Sequence, residues 1–224
     1  IGPNGSGKTT TINMIDGVFP PTEGQILFQG TEITGKSTHE ISRLGLGRTF
    51  QNIKLFNALT VEENLMVGGH MAYAKAGIAS FFFDIGRANR EEKALKEAAE
   101  EILESMKLQD IAKRQVGGLP YGMLKMVELA RTMMTRPKLI LLDEPAAGLN
   151  PSERRDLIEI LMHIFDNGID LFLIEHNMDV VMNISHKITV INFGSKIAEG
   201  KPVDIQNNPE VIRAYLGDRY QQKA

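Results

Sequence analysis

No cysteine occurs among the 224 residues of this chain, which excludes disulfides, thiol catalysis and cysteine-ligated zinc. An excess of basic charge is missing too: 25 Lys and Arg side chains stand against 28 Asp and Glu, a formal net charge of -3. So near a balance leaves no electrostatic footprint for nucleic acid. Long apolar runs are absent as well. The greasiest short stretch, Ile78-Ala79-Ser80-Phe81-Phe82-Phe83, falls far short of the roughly 18 residues that a membrane span requires. Any membrane role is therefore expected to be peripheral, through protein partners. Neither an internal repeat nor a low-complexity linker interrupts the chain. Its length suits one domain, or a core with a smaller subdomain, and 42% apolar with 24% charged residues is the composition of a chain that can bury a real core.

What is present begins at the first residues. Gly2-Pro3-Asn4-Gly5-Ser6-Gly7-Lys8-Thr9 fits a phosphate-binding loop, which follows a buried strand and opens a helix. Small residues let successive backbone N–H groups turn inward around phosphate oxygens, and the helix start adds partial positive charge. In this reading Asn4, Gly5, Ser6, Gly7, Lys8, Thr9 and Thr10 hold the phosphates of a ligand. Lys8 supplies full charge to the terminal phosphates and the Thr9 hydroxyl a ligand for Mg²⁺.

The remainder reads as alternating strands and helices with a helical insertion. A helix is expected from Thr10 to Val18, ended by Gly17 and the Pro20-Pro21 pair, then a short strand bracketed by Gly24 and Gly30. Leu95, Ala98, Ala99, Ile102 and Met106 recur at helical spacing opposite Glu91, Glu92, Lys96, Glu100 and Glu101. They mark an amphipathic helix within a helical region spanning about 61–135. Leu139-Ile140-Leu141-Leu142 and Leu171-Phe172-Leu173-Ile174 are continuous apolar runs, as in parallel strands covered on both faces. Between them a helix from Ser152 to Phe165 is expected, with Ser152 as N-cap. Ile188 to Asn192 and Lys196 to Glu199 predict a hairpin about Gly194-Ser195.

Two acids end the first apolar run. Asp143 sits where α/β sheets bind ligands, at the carboxyl edge, and suits Mg²⁺. Glu144 can act as general base on a water in line with the γ-phosphate. His176 ends the second run, where its imidazole can reach the same phosphate. Gln51, in Gly47-Arg48-Thr49-Phe50-Gln51, can bind Mg²⁺ or position water. Leu119-Pro120-Tyr121-Gly122-Met123 opens a helix just ahead of the Asp143 strand, a further anion-binding geometry. His39, His70, His163 and His186 show no metal-ligand spacing.

These elements, in this order, resemble the ATP-binding subunits of ABC transporters. The resemblance covers essentially the whole chain and implies a P-loop NTPase α/β fold with a mainly parallel sheet and a helical signature subdomain at about 61–135. It makes Gly2 to Thr9 the Walker A motif, Gln51 the Q-loop glutamine and Leu119 to Met123 the signature. Leu139 to Asp143 becomes Walker B, Glu144 the catalytic glutamate, Ala147-Gly148-Leu149-Asn150 the D-loop and His176 the switch histidine. Gly47 to Asn52, Asp143 to Pro151 and Asn208 to Gly217 look like the branched-chain amino-acid importer ATPases, as does the insertion around Gly69 to Arg87. Family members carry a few dozen residues before the loop, including strands and an aromatic residue that stacks on adenine. The resemblance thus implies a chain without its N-terminal strands.

The implied activity is ATP hydrolysis with Mg²⁺ at the cytoplasmic face of the membrane. The implied partners are a second homologous ATPase subunit, alike or different, and integral-membrane permease subunits docking beside Gln51. A periplasmic or extracellular substrate-binding protein acts indirectly, and no nucleic acid is expected. Departures lie at the pairing surface. Pro120, Tyr121, Gly122 and Met123 replace the usual Ser-Gly-Gly-Gln, and Pro120 has neither hydroxyl nor N–H. That leaves Gly122 and the helix start to meet ATP on the opposing subunit. Asn150 replaces an aspartate. A non-transport ABC ATPase and a nucleotide-dependent interaction module remain alternatives.

Overall fold

A computed structural model describes residues 1–50, 52–73 and 85–221 of the chain. The glycine-rich loop runs directly into helix α1 (Lys8–Ile15). This helix starts and stops earlier than the pattern predicts, because Gly7 and Gly17 adopt φ of 100° and 74° on either side of it, a left-handed geometry that glycine takes without strain. The segment expected to be one strand from Gly24 to Gly30 is a hairpin instead. Strands β1 (Leu27–Phe28) and β2 (Thr31–Glu32) pair antiparallel, and Gly30 belongs to the turn. Helix α2 (Thr38–Arg43) is fixed by a capping box between Ser37 and Glu40, and leads into β3 (Leu46–Arg48).

The helical region contains α3 (Val61–Tyr73), α4 (Ile85–Ser105) and α5 (Tyr121–Met133), with short 3₁₀ turns at Gln109–Ile111 and Val116–Gly118. The apolar stripe of α4 buries Ala98, Ala99, Leu103 and Met106 against α3 and α5, with Leu95 and Ile102 partly covered. Next come β4 (Leu139–Asp143), α6 (Pro151–Asp166), β5 (Asp170–Ile174), α7 (Met178–Ile184), β6 (Ile188–Asn192), β7 (Ser195–Gly200), α8 (Pro202–Gln206) and α9 (Pro209–Gln221). The N-cap of α6 is Asn150 rather than Ser152. Its side chain accepts from the Ser152 and Glu153 N–H groups at 2.9 and 3.1 Å, and Glu153 accepts in return from the Asn150 N–H.

Strands β3, β4 and β5 form a parallel sheet with β4 in the centre. Central β4 is covered on both faces, as its continuous apolar run requires. Ile140 and Leu142 join the core made with α5, α6 and the helical region. Leu141 joins Ile12 of α1, Ile41, Leu46 and Ile174 on the other side. Strand β5 departs from expectation. Phe172 is 39% exposed, and Leu171 and Leu173 are only partly buried. The strand borders a cavity of about 580 Å³ whose other walls include Thr11 of α1, Val181 of α7 and Ile188 and Ile191 of β6. The predicted hairpin is present as β6 and β7, with a bulge between Val190 and Ile191. Among the described residues, no helix is long and apolar enough to cross a membrane.

Register sets which side chains share the sheet's carboxyl edge. Asp143 lies opposite Ile174, so Glu144, Glu175 and His176 leave the sheet together there.

Candidate active site

The loop ahead of α1 is shaped by its backbone. Gly5 and Gly7 have φ of 76° and 100°, and a Cβ on Gly2 would stand 2.1 Å from the Ile191 carbonyl oxygen. The Gly194 N–H of the β6–β7 turn donates to the Ser6 carbonyl at 3.0 Å, pinning the loop to the hairpin. At the start of α1 the cap residue is Gly7, which offers no side-chain acceptor, so the first N–H groups of the helix are not satisfied by a cap. The Ser6 hydroxyl is buried without a hydrogen-bond partner. Lys8 is buried and folds its ammonium back over the loop, donating to the carbonyls of Gly2 and Pro3 at 2.8 and 2.9 Å. Burial lowers its pKa, countered in part by the nearby charges of Glu144 and Asp143. Thr9 and Thr10 are exposed, as are Asn4 and Gly5. A concave set of uncapped N–H donors and one cation fits a polyphosphate.

Across from this loop, Asp143 is buried at the end of β4. Burial raises its pKa; the Arg48 guanidinium, 3.7 Å away, pulls the other way. Arg48 also donates to Asp16 at 3.0 Å and to Asn13 at 2.8 Å, tying α1 to the sheet. The next residue, Glu144, takes φ of 51°, a left-handed conformation uncommon outside glycine. That turn swings its carboxylate to within 2.8 Å of His176 Nε2. The structure thus brings Lys8, Asp143, Glu144 and His176 into one electrostatic neighbourhood.

Other predicted residues sit elsewhere. Pro120 is the N-cap of α5, and Tyr121 and Met123 are 45% and 40% exposed. Gly122 is buried: a Cβ there would meet Glu153 Oε1 at 2.5 Å. The Tyr121 ring packs beside Gly148, so the signature and D-loop form one surface within the chain, and Asn150 caps α6. Gln51 lies outside the described residues, as does most of the insertion around Gly69 to Arg87. Among the described residues, no group of three or more His, Asp or Glu side chains could hold a metal ion. Thr9 and Asp143 remain as oxygen donors, enough for Mg²⁺, which keeps several waters and is shared with substrate phosphates.

Sequence reasoning missed three side chains here. Arg48, Lys125 and Glu175 all stand inside or beside recognisable motifs, yet each has a partner far along the chain: Asp16 and Asp143 for Arg48, the Glu144 carbonyl for Lys125 and the Ala146 N–H for Glu175. A charge next to an apolar strand or helix face was the only signal.

A family model for ABC transporters matches residues 1–147, and a second, for branched-chain amino acid ATP-binding cassette transporters, matches residues 195–221. The chain belongs to the ABC transporter family. It is 44% identical over 219 residues to the high-affinity branched-chain amino acid transport ATP-binding protein BraF of Pseudomonas aeruginosa, covering 97% of this chain and 86% of that protein. LivG of Escherichia coli K12, described in the same words, is 42% identical with the same coverage. Among solved structures, the ADP conformation of an ATP-binding cassette of an ABC transporter superposes with a TM-score of 0.83 at 36% identity, over 97% of this chain and 86% of that one. A nucleotide-free ATP-binding cassette gives 0.81 at 35% identity over 96% and 85%. The P-loop NTPase fold expected from the motifs is therefore present, and this ABC cassette is an ATPase subunit.

Proposed function

We propose that this ABC cassette hydrolyses ATP to drive an importer of branched-chain amino acids, with Glu144 as general base. The observation that carries the mechanism is the 2.8 Å contact between Glu144 and His176, facing the loop that holds Lys8. ATP phosphates bind the N–H groups of Asn4 to Thr10 and the Lys8 ammonium. Thr9 and Asp143 would hold Mg²⁺, with Gln51 as a further ligand; the ion supplies charge neutralisation at the phosphates when bound. Glu144 accepts a proton from water as its oxygen bonds to the γ-phosphorus. The bond to the β–γ bridging oxygen breaks, and ADP and phosphate leave. His176 Nε2–H holds the Glu144 carboxylate in line.

Residues 1–224 form one ABC ATPase domain in this reading, with a helical subdomain over 61–135. Two cassettes close head-to-tail, each presenting Pro120, Tyr121, Gly122 and Met123 to ATP on the other, beside Asn150. The exposure of Tyr121 and Met123 supports that role. The transported substrate is inferred from the names of BraF and LivG and from the 195–221 family match. Permease subunits then hold the cassette peripherally at the cytoplasmic face of the membrane, and a substrate-binding protein delivers cargo from the other side. Vesicles reconstituted with the cassette pair, its permease and its binding protein are expected to take up leucine, isoleucine or valine only with ATP inside. Uptake of another solute class, with none of these three moved, would overturn the substrate assignment.

A further inference from the structure

Next to His176 lies a carboxylate that the proposed mechanism does not use. Glu175 is 3% exposed, and both of its oxygens are occupied by backbone N–H groups. Oε1 accepts from Ala146 at 2.8 Å, while Oε2 accepts from His176 at 2.6 Å and Asn177 at 2.9 Å. The donors belong to two separate turns, one following Glu144 and one carrying His176. A single buried side chain therefore clasps the two segments whose side chains meet at Glu144 and His176.

The Glu144 turn needs such support. Its φ of 51° is a conformation that persists only when the surroundings over-determine it. Three further contacts hold its backbone: the Glu144 N–H donates to Ile174 O at 2.9 Å, the Ala147 N–H to Glu144 O at 3.1 Å, and Lys125 Nζ to the same carbonyl at 3.0 Å. Lys125 is itself buried on α5; burial lowers its pKa, and Glu128, Glu175, Glu144 and Asp143 pull it back. Lys125 thus holds the turn at the Glu144 carbonyl and Glu175 holds it at the Ala146 N–H.

We propose that Glu175 is a positioning residue for hydrolysis, locking the Glu144 turn to the His176 turn so that the two side chains stay aligned, with Lys125 as its counterpart on the Glu144 carbonyl. The proposal rests on the reading of Glu144 as base. Its chemistry is specific to a carboxylate. An amide at this position has one acceptor oxygen and would turn an NH₂ group against either Ala146 N–H or the His176 and Asn177 pair, releasing one turn.

The test compares wild type, Glu175→Gln, Glu144→Gln and the double variant in the assembled transporter. Misplacement of about 1 Å can cost around 10²-fold in rate. Glu175→Gln is expected to lower kcat by about that factor while KM for ATP and nucleotide affinity stay within about twofold. In the double variant the Glu175 change is expected to add nothing to the loss from Glu144→Gln, a non-additivity that a merely structural role does not produce. If Glu175→Gln runs at the wild-type rate while Glu144→Gln is slow, the positioning proposal is wrong and the base assignment stands. Multiplying losses in the double variant would also overturn it. A wild-type rate from Glu144→Gln overturns the base assignment instead. Amide hydrogen exchange on the unaltered protein covers the case in which Glu175→Gln does not fold. The Ala146, His176 and Asn177 amides are expected to be protected alike, and rapid exchange at Ala146 would contradict the clasp.

Discussion

Arg48 stands between two acids that no motif pairs with it. Its guanidinium contacts Asp16 at the end of α1 and Asp143 at the end of β4, so one side chain joins the glycine-rich loop's helix to the central strand. Removing one partner of a buried ion pair typically costs about 3–5 kcal/mol, because the other charge is left uncompensated. Arg48→Met is expected to lose stability in that range by urea unfolding at neutral pH. The sign with pH follows from burial. Both carboxyls already have raised pKa values from desolvation, and Arg48 is the cation that opposes it. Groups with raised folded pKa favour the folded state more at low pH and lose that contribution as pH rises through the folded value. The Arg48→Met deficit should therefore shrink as pH is lowered; a deficit that grew on acidification would contradict this account. Gly2 makes a steric claim at the same scale. Gly2→Ala places a Cβ against Ile191 O and Ser6 Oγ, an overpacking that typically costs about 1–3 kcal/mol, and should weaken ATP binding by titration. The glycine, lysine and paired-acid positions were legible because contiguous spacing encodes their geometry. Arg48, Lys125 and Glu175 were not, because each has at least one partner distant in the chain.

At the scale of elements, amphipathic α4 and the buried strand β4 were readable from periodicity and from a continuous apolar run. Boundaries were less so. Asn150, read as a D-loop residue short of a charge, doubles as the N-cap of α6; its replacement by alanine is expected to cost about 0.5–2 kcal/mol, by chemical denaturation. Strand β5 reads as fully buried from composition, yet it borders a cavity, since an apolar run does not say what covers it. The β6–β7 turn carries a local conflict: Phe193 is 86% exposed with φ of 46°, followed by Gly194 at 78°. Two positive φ values suit an Asn-Gly type I′ turn. Phe193→Asn should raise stability by up to about 1 kcal/mol, seen as a higher melting temperature; a lower one would show that the ring has a compensating contact. On the same hairpin, hydrogen bonds from Lys187 and Lys196 hold Glu199 down to about 2 from an ordinary 4.5. A depressed carboxylate stabilises the fold above its ordinary pKa and loses that contribution as pH falls through the folded value. Wild type should therefore lose stability relative to Glu199→Gln between pH 4.5 and 2, by a small amount because the pair is exposed and screened by salt.

For the whole molecule, one apolar cluster runs from Leu65 in α3 through Val127 in α5 to Leu142 in β4 and Leu161 in α6. The helical region and the sheet are thus packed as a unit, and Lys125 carries that packing to the Glu144 carbonyl. At the start of α5, Pro120, Tyr121 and Met123 are exposed and Gly122 is buried. Their departure from Ser-Gly-Gly-Gln predicts an unlike partner and two unequal sites. Mixing this subunit with a homologous cassette and ATP should yield the heterodimer in preference to either homodimer, by mass measurement in solution; a stable, fully active homodimer would count against it. The central claim is that Glu144 is the base and that the loop of Lys8 holds the nucleotide. It is tested most directly by measuring phosphate release and bound nucleotide together for wild type, Glu144→Gln and Lys8→Ala in the assembled transporter. Glu144→Gln is predicted to be about 10²–10⁴-fold slower yet to retain ATP in a closed pair, whereas Lys8→Ala loses both affinity and turnover. Turnover at the wild-type rate by Glu144→Gln would contradict the account.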